Sequence, residues 1–412
     1  MKNLLSSGDR PRPLEGVRIV ECGIWHAGPG GSAILADLGA EVIKVESLDG
    51  DPVRVHGRRL GTVMLNGFDK EDWSILYEIS NRSKRGICVD LSSDEGRQIL
   101  ARLVQTADIF MTNYKRSTIP KLGVDYETLA RINPRLIHIA VSGYGPSGPM
   151  ADLGGFDPLG QAISGMVFIT GSDEPVVLQA IILDQITAIA ASHAMLTALY
   201  VRERRGYGQS LHVSLYGSAI WMMYANILNT SVMGKSFSLA WNRAVTPPMR
   251  NCYKCSDGKW VMGTSHPEYK YWPIYCDVIG LRSFATDPRF ATQEARAANI
   301  RELIAAIDKV MLTRPSREWL DLFQARGLLF VPVQSFSEVI SDPHARENGY
   351  IVDVDHPTMG RVAFPGYPVH FSANSTRLAP APERGEHTAD VLAEIGYAAD
   401  EISRLKDRNL IK

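Results

Sequence analysis

Charge of one sign is the first thing this 412-residue chain lacks: 44 Lys and Arg against 45 Asp and Glu leave a formal net charge of −1. A near-neutral chain has little non-specific attraction to nucleic acid or to an anionic membrane. No cluster restores it locally, since Glu203 interrupts Arg202, Arg204 and Arg205. Cysteine is scarce too. Five residues (Cys22, Cys88, Cys252, Cys255 and Cys276) in so long a chain are not a disulfide framework. Residues 1–7 hold one basic side chain and no apolar run of signal-peptide length, so the expected location is cytoplasmic. Residues 209–234 contain no Lys, Arg, Asp or Glu, but His212, Ser214, Asn226 and Asn229 spread polar groups through them and Gly217 interrupts them. Spanning a bilayer takes about 20 predominantly apolar residues, so the stretch reads as a buried strand and helix. G-x-S-x-G, H-E-x-x-H and a Walker loop are all absent. Cys252-x-x-Cys255 has no second pair at metal spacing, which favours ordinary thiols over zinc.

What is present is ordinary globular material, 45% hydrophobic and 22% charged, enough for two or three domains. Strand and helix signals alternate through the first half. Strands are predicted at 17–22, 41–46, 86–91, 109–111 and 136–141. Helices are predicted at 30–38 and after Ser92-Ser93-Asp94-Glu95, the latter with a capping-box start and an apolar face of Ile99, Leu100, Leu103 and Val104. That order predicts an α/β fold with a mostly parallel sheet. A helix at 184–201 and a strand at 210–214 follow. Near residue 245 the character changes to a hairpin (251–255 and 259–263) and three helices, read as a smaller domain over 245–325. Strands at 351–354 and 361–364 and a helical tail from 388 complete the chain.

Two features carry chemistry. Gly28-Pro29-Gly30-Gly31-Ser32-Ala33 follows a strand, and Glu46 ends the next one, which together match a dinucleotide fingerprint. Pro29 removes an N–H that a phosphate cradle would use. The preferred reading is a loop contacting some other anion or nucleotide, with close helix packing as the alternative. The second feature is a pair of acids, Asp157 and Asp184. Asp184 lies between the apolar run 176–183 and a helix rich in small residues, the pattern of an N-cap. A helix N-terminus favours the ionised carboxylate, which can attack an activated acyl carbon.

At this point the chain resembles the family III CoA-transferases, which include formyl-CoA transferase and carnitine CoA-transferase. The resemblance rests on Leu14-Glu15-Gly16-Val17, Ala27-Gly28-Pro29, Leu35 through Glu46, Asn81-Arg82-Ser83-Lys84-Arg85, Asn133-Pro134-Arg135, Ser142-Gly143-Tyr144-Gly145, Gly208-Gln209 and Gly385-Glu386-His387-Thr388. It implies a Rossmann-like large domain built from both chain ends (1–222 and 326–412), a linker at 223–244, and the small domain. It also implies an interlocked homodimer, or a heteromer with a homologous subunit. Asp184 falls at the family's nucleophile. Trp25, His26, Ala27, Gly28, Tyr144 and Asp157 fall around the active site, and Glu46, Arg85, Lys121 and Leu122 where CoA is contacted. CoA enters as acyl-CoA co-substrate, and neither NAD nor a metal is expected. Thr246-Pro247-Pro248-Met249-Arg250 replaces the glycine-rich loop of formyl-CoA transferase, and Ser142 replaces its lysine, so formate and oxalate do not fit. Trp25, Tyr224 and Trp241 suit a larger or aromatic acyl group. Two other readings share the fold: an α-methylacyl-CoA racemase, which carries Gly-His-Asp where this chain has Gly155-Phe156-Asp157, and an accessory subunit of a heteromeric transferase.

Overall fold

The computed structural model describes residues 10–55, 74–169, 174–235 and 241–412. The chain divides into two units, one of residues 1–168, 174–237 and 349–412, the other of residues 169–173 and 238–348.

The larger unit is organised by six strands: β1 (Arg18–Cys22), β2 (Glu41–Glu46), β3 (Arg85–Cys88), β4 (Ile109–Thr112), β5 (Ile137–Ser142) and β6 (Ser210–Ser214). They form one sheet in the order β3-β2-β1-β4-β5-β6, every pair parallel. The order reverses between β1 and β4, the switch point of a doubly wound fold. Strands buried on both faces need near-continuous apolar sequence, and Ile109-Phe110-Met111 is wholly buried. Helix Asp94–Gln105 buries Ile99, Leu100, Leu103 and Val104, as its periodicity predicts. Its cap is Ser93 alone, whose Oγ accepts the Gly96 N–H. A Cβ at position 96 would lie 1.9 Å from the Asp90 carbonyl oxygen, so that turn admits only glycine.

The C-terminal segment closes this unit. The outer edge of β3 is paired by the C-terminal segment: Asp90 N–H donates to Leu410 O, and the Cys88 N–H to Thr388 Oγ1. Val391, Leu392 and Leu405 join the core of Val20, Ile43 and Ile87. A covered edge removes a template for unwanted strand pairing. The motifs Asn81–Arg85 and Gly385–Thr388 therefore meet here, with the Gly86 N–H donating to His387 Nδ1.

Residues 209–234 depart from the buried reading. β6 leads into helices Leu215–Met222 and Tyr224–Met233, and Trp221 and Val232 are 74% and 75% exposed. Nothing among the described residues covers that apolar face. The expected linker 223–244 thus contains a helix. The apolar run 176–183 before Asp184 forms no strand.

The smaller unit holds β7 (Cys252–Lys254), β8 (Trp260–Gly263) and β9 (Phe330–Val333) in an antiparallel sheet. Its core packs Tyr253, Trp272, Tyr275, Ile307, Trp319 and Phe323. Pairing of β9 with β8 carries this unit past residue 325, the boundary expected from the sequence. A hairpin of β10 (Ile351–His356) and β11 (Gly360–Pro365) belongs to the larger unit.

Candidate active site

Helix Ile182–Arg205, 24 residues long, carries Asp184 in its first turn. By length and composition it could cross a membrane, but Ala188, Ala191 and Ser192 are buried against helix Pro29–Asp37. Glycines make that contact possible. A Cβ on Gly31 would come within 3.0 Å of Ala191 Cβ and 3.1 Å of the Ala188 carbonyl oxygen, and one on Gly30 within 2.8 Å of His26 Cε1. The glycine-rich stretch thus serves close packing of two helices, the alternative to a phosphate-contacting loop.

Asp184 is not the N-cap. Ile181 holds that position in the left-handed region, at φ 44°, without a side-chain cap. A β-branched residue there costs on the order of 1–3 kcal/mol. The cap arrives from another helix. Asp157, the first residue of helix Asp157–Ile163, accepts through Oδ2 the N–H of Leu183 at 2.7 Å and of Asp184 at 3.0 Å. Its Oδ1 accepts from Gln161, which is locked in turn by two bonds to the Leu178 backbone. This frees the Asp184 side chain to face a cavity of about 730 Å³. It also changes its charge state. Burial, followed by the neighbouring Asp157 charge, pushes the Asp184 carboxyl from 3.8 up to about 7. The helix N–H groups expected to hold the Asp184 carboxylate go to Asp157 instead, and burial acts against its charge.

The cavity opens at the carboxyl ends of β1, β4, β5 and β6, where Trp25, Asn113, Gly143 and Leu215 wall it. Ligands of doubly wound sheets bind in this crevice. Asn113 staples the loops after β1 and β4, accepting the Ile24 N–H at 2.9 Å and donating to Ile24 O at 2.6 Å. Trp25 adopts φ 64°, donates its backbone N–H to Asp51 at 3.3 Å, and meets the Phe156 ring edge-on at 5.6 Å. Asp51 pairs with the fully buried Lys44, which also reaches Glu21 and the Gly23 carbonyl. Burial would raise the Glu21 carboxyl, yet Lys84 and Lys44 on either side hold it below the usual range. A buried ionic lattice thus underlies the loop that presents Trp25.

The other expected residues are distributed as follows. Ala27 lines the cavity. His26 is buried behind it, and burial pushes its imidazole down to about 4, so the ring is neutral. Gly28 allows the close approach of Met111 Sδ, 3.0 Å from where a Cβ would stand. Tyr144 lies between Gly143 and Gly145, both of which line the cavity. Glu46 is buried and bound by Arg54 at 2.7 and 2.9 Å. Arg85 begins β3, at the amino edge of the sheet, and pairs with Glu41 and Glu394. Lys121 is exposed on the short helix Ile119–Leu122, and Leu122 packs on the core. Sequence reasoning missed Asn113, Lys115 and Arg116, which line the cavity directly after β4; the signal available was their place just past a strand's carboxyl end. Among the described residues no three His, Cys, Asp or Glu side chains gather as a metal site.

Fold and site describe a doubly wound α/β protein in which the Asp184 carboxyl faces a cavity at the carboxyl ends of the strands. Residues 14–388 match the model of CoA-transferase family III, and the chain belongs to that family. It is 30% identical to the (R)-2-hydroxy-4-methylpentanoate CoA-transferase of Clostridioides difficile, over 97% of this chain and 99% of that one. It is also 30% identical to the succinyl-CoA–D-citramalate CoA-transferase of Chloroflexus aurantiacus, over 99% and 100%. The crystal structure of a CAIB/BAIF family protein from Brucella suis superposes with a TM-score of 0.83 at 30% identity, covering 94% of this chain and 100% of that one.

Proposed function

We propose that the protein moves CoA from an acyl-CoA donor, succinyl-CoA, to a free carboxylic acid, with Asp184 as nucleophile. The observation that carries this is Asp184 itself: a side chain released from capping, facing a cavity, on a backbone held by Asp157. The ionised carboxylate attacks the donor thioester, giving a mixed anhydride and CoA thiolate. The thiolate then attacks the Asp184 carbonyl, which releases the donor acid and leaves an Asp184-CoA thioester. The acceptor carboxylate attacks that thioester, and the thiolate returns to the acceptor's acyl group. Every intermediate stays activated, so no ATP is consumed. Lys115 and Arg116, exposed on the cavity wall, suit the phosphates of CoA. The Trp25–Phe156 pair favours an acceptor with an aromatic or otherwise bulky side chain, and a substituted dicarboxylate is the second candidate, by analogy with the D-citramalate enzyme. Phe156 cannot transfer a proton, which counts against the racemase reading. A second copy of the chain is proposed to cover the face of Trp221, Tyr224 and Val232.

The test is mass spectrometry after incubation with succinyl-CoA. The expected result is a CoA adduct on Asp184 that hydroxylamine removes, absent in Asp184→Ala together with CoA exchange. Exchange that persists in Asp184→Ala would refute the assignment.

A further inference from the structure

Behind the cavity wall lies a contact that the transfer chemistry leaves unused. His26 is 1% exposed, and both ring nitrogens are engaged: Nδ1 lies 2.8 Å from Ser80 Oγ, and Nε2 lies 2.8 Å from the side-chain amide of Gln185. Gln185 directly follows Asp184, and Ala27, which directly follows His26, lines the cavity. The contact therefore joins the cavity loop after β1 to the first turn of the Asp184 helix. Gly30 leaves room for the ring, since a Cβ there would sit 2.8 Å from His26 Cε1.

Proton counting orients the contact. Ser80 Oγ lies 2.6 Å from the Leu76 carbonyl oxygen, a separation that requires the single hydroxyl proton between them. Ser80 then has only lone pairs to offer His26, so the neutral ring carries its proton on Nδ1. The bare Nε2 needs a donor, and the Gln185 amide supplies it by presenting its NH₂ group, turned half-way round from the Oε1 contact. A hydrocarbon would fill the same space without two polar partners, so the hydrogen bonds serve placement rather than filling.

We infer that His26 and Gln185 form a clamp that sets the position of the Asp184 turn relative to the cavity loop; both are positioning residues. The inference rests on Asp184 being the nucleophile. Misplacement of a reacting group by about 1 Å costs up to about 100-fold in rate.

The test measures kcat and KM for CoA exchange in Gln185→Leu, His26→Leu and His26→Gln, with a melting curve for each. Expected are a kcat lowered about 10- to 100-fold in both Leu variants, a KM for the acyl-CoA donor within about threefold, and partial recovery in His26→Gln, whose amide can bridge the same partners. ¹⁵N NMR of the His26 ring should show a protonated Nδ1 and a bare Nε2. A folded Gln185→Leu with unchanged kcat overturns the clamp, as does a ring protonated on Nε2. Asp184→Asn separates the two claims: if it retains exchange, the nucleophile assignment fails, whereas an Asp184 adduct formed at full rate in Gln185→Leu sinks the clamp alone.

Discussion

Replacing Asp184 by Asn should make the protein more stable as it destroys activity, by an amount that depends on pH. Burial and Asp157 raise the carboxyl from 3.8 to about 7 in the folded chain. A raised carboxylate pKa means that the folded state holds its proton where the unfolded state has lost it. Stability is therefore fully present at low pH and falls as pH rises from about 4 to about 7, then levels off. At 1.36 kcal/mol per pH unit, the raised carboxyl pKa costs the fold at most about 4 kcal/mol at pH 8.5 and about 2 kcal/mol at pH 5. Asn is isosteric and neutral, so it escapes that cost at every pH. Urea unfolding of both proteins at pH 5 and pH 8.5 reads the difference directly. The gain in midpoint should be larger at pH 8.5. Equal midpoints at pH 8.5 would mean that Asp184 is not held in a desolvated site facing a like charge, and the argument for its tuned reactivity would fall. The kinetic counterpart is an activity of the native protein that climbs through about pH 7 as Asp184, the proposed nucleophile, ionises.

Two further outcomes follow from packing and charge. Gly31→Ala places a methyl 3.0 Å from Ala191 Cβ; the overpacking, about 1–3 kcal/mol, should outweigh a helix-propensity gain of about 1 kcal/mol, and an unchanged urea midpoint would show that the two helices have slack. Lys44→Met strands Asp51 and leaves Glu21 with Lys84 alone, so a loss of about 3–5 kcal/mol is expected by chemical denaturation, and a neutral result would refute the ionic support of the Trp25 loop.

Regular elements were readable because their signals are local. The 3.6-residue spacing of Ile99, Leu100, Leu103 and Val104 and the apolar run of β4 each report burial within a few residues of chain. The exposed helices after β6 were misread for the opposite reason. An apolar stretch announces that something covers it, but not whether the cover lies within the same chain.

The sequence by itself determined the alternating α/β order and the family pattern, because residue type and spacing carry them, and the family resemblance pointed to Asp184 as a candidate. Only the tertiary structure decided that Asp157 caps the Asp184 helix, that burial and the Asp157 charge push the Asp184 carboxyl upward, and that Glu46 and Arg85 are bound up in ion pairs. It also showed Gly30 and Gly31 packed closely against the helix that carries Asp184. Apart from the Glu46–Arg54 pair, 8 positions apart, each of these depends on residues 26 to 309 positions apart in the chain meeting at a few ångströms. Hydrogen bonding, desolvation and charge coupling act over that distance in space, and no local pattern along the chain records them.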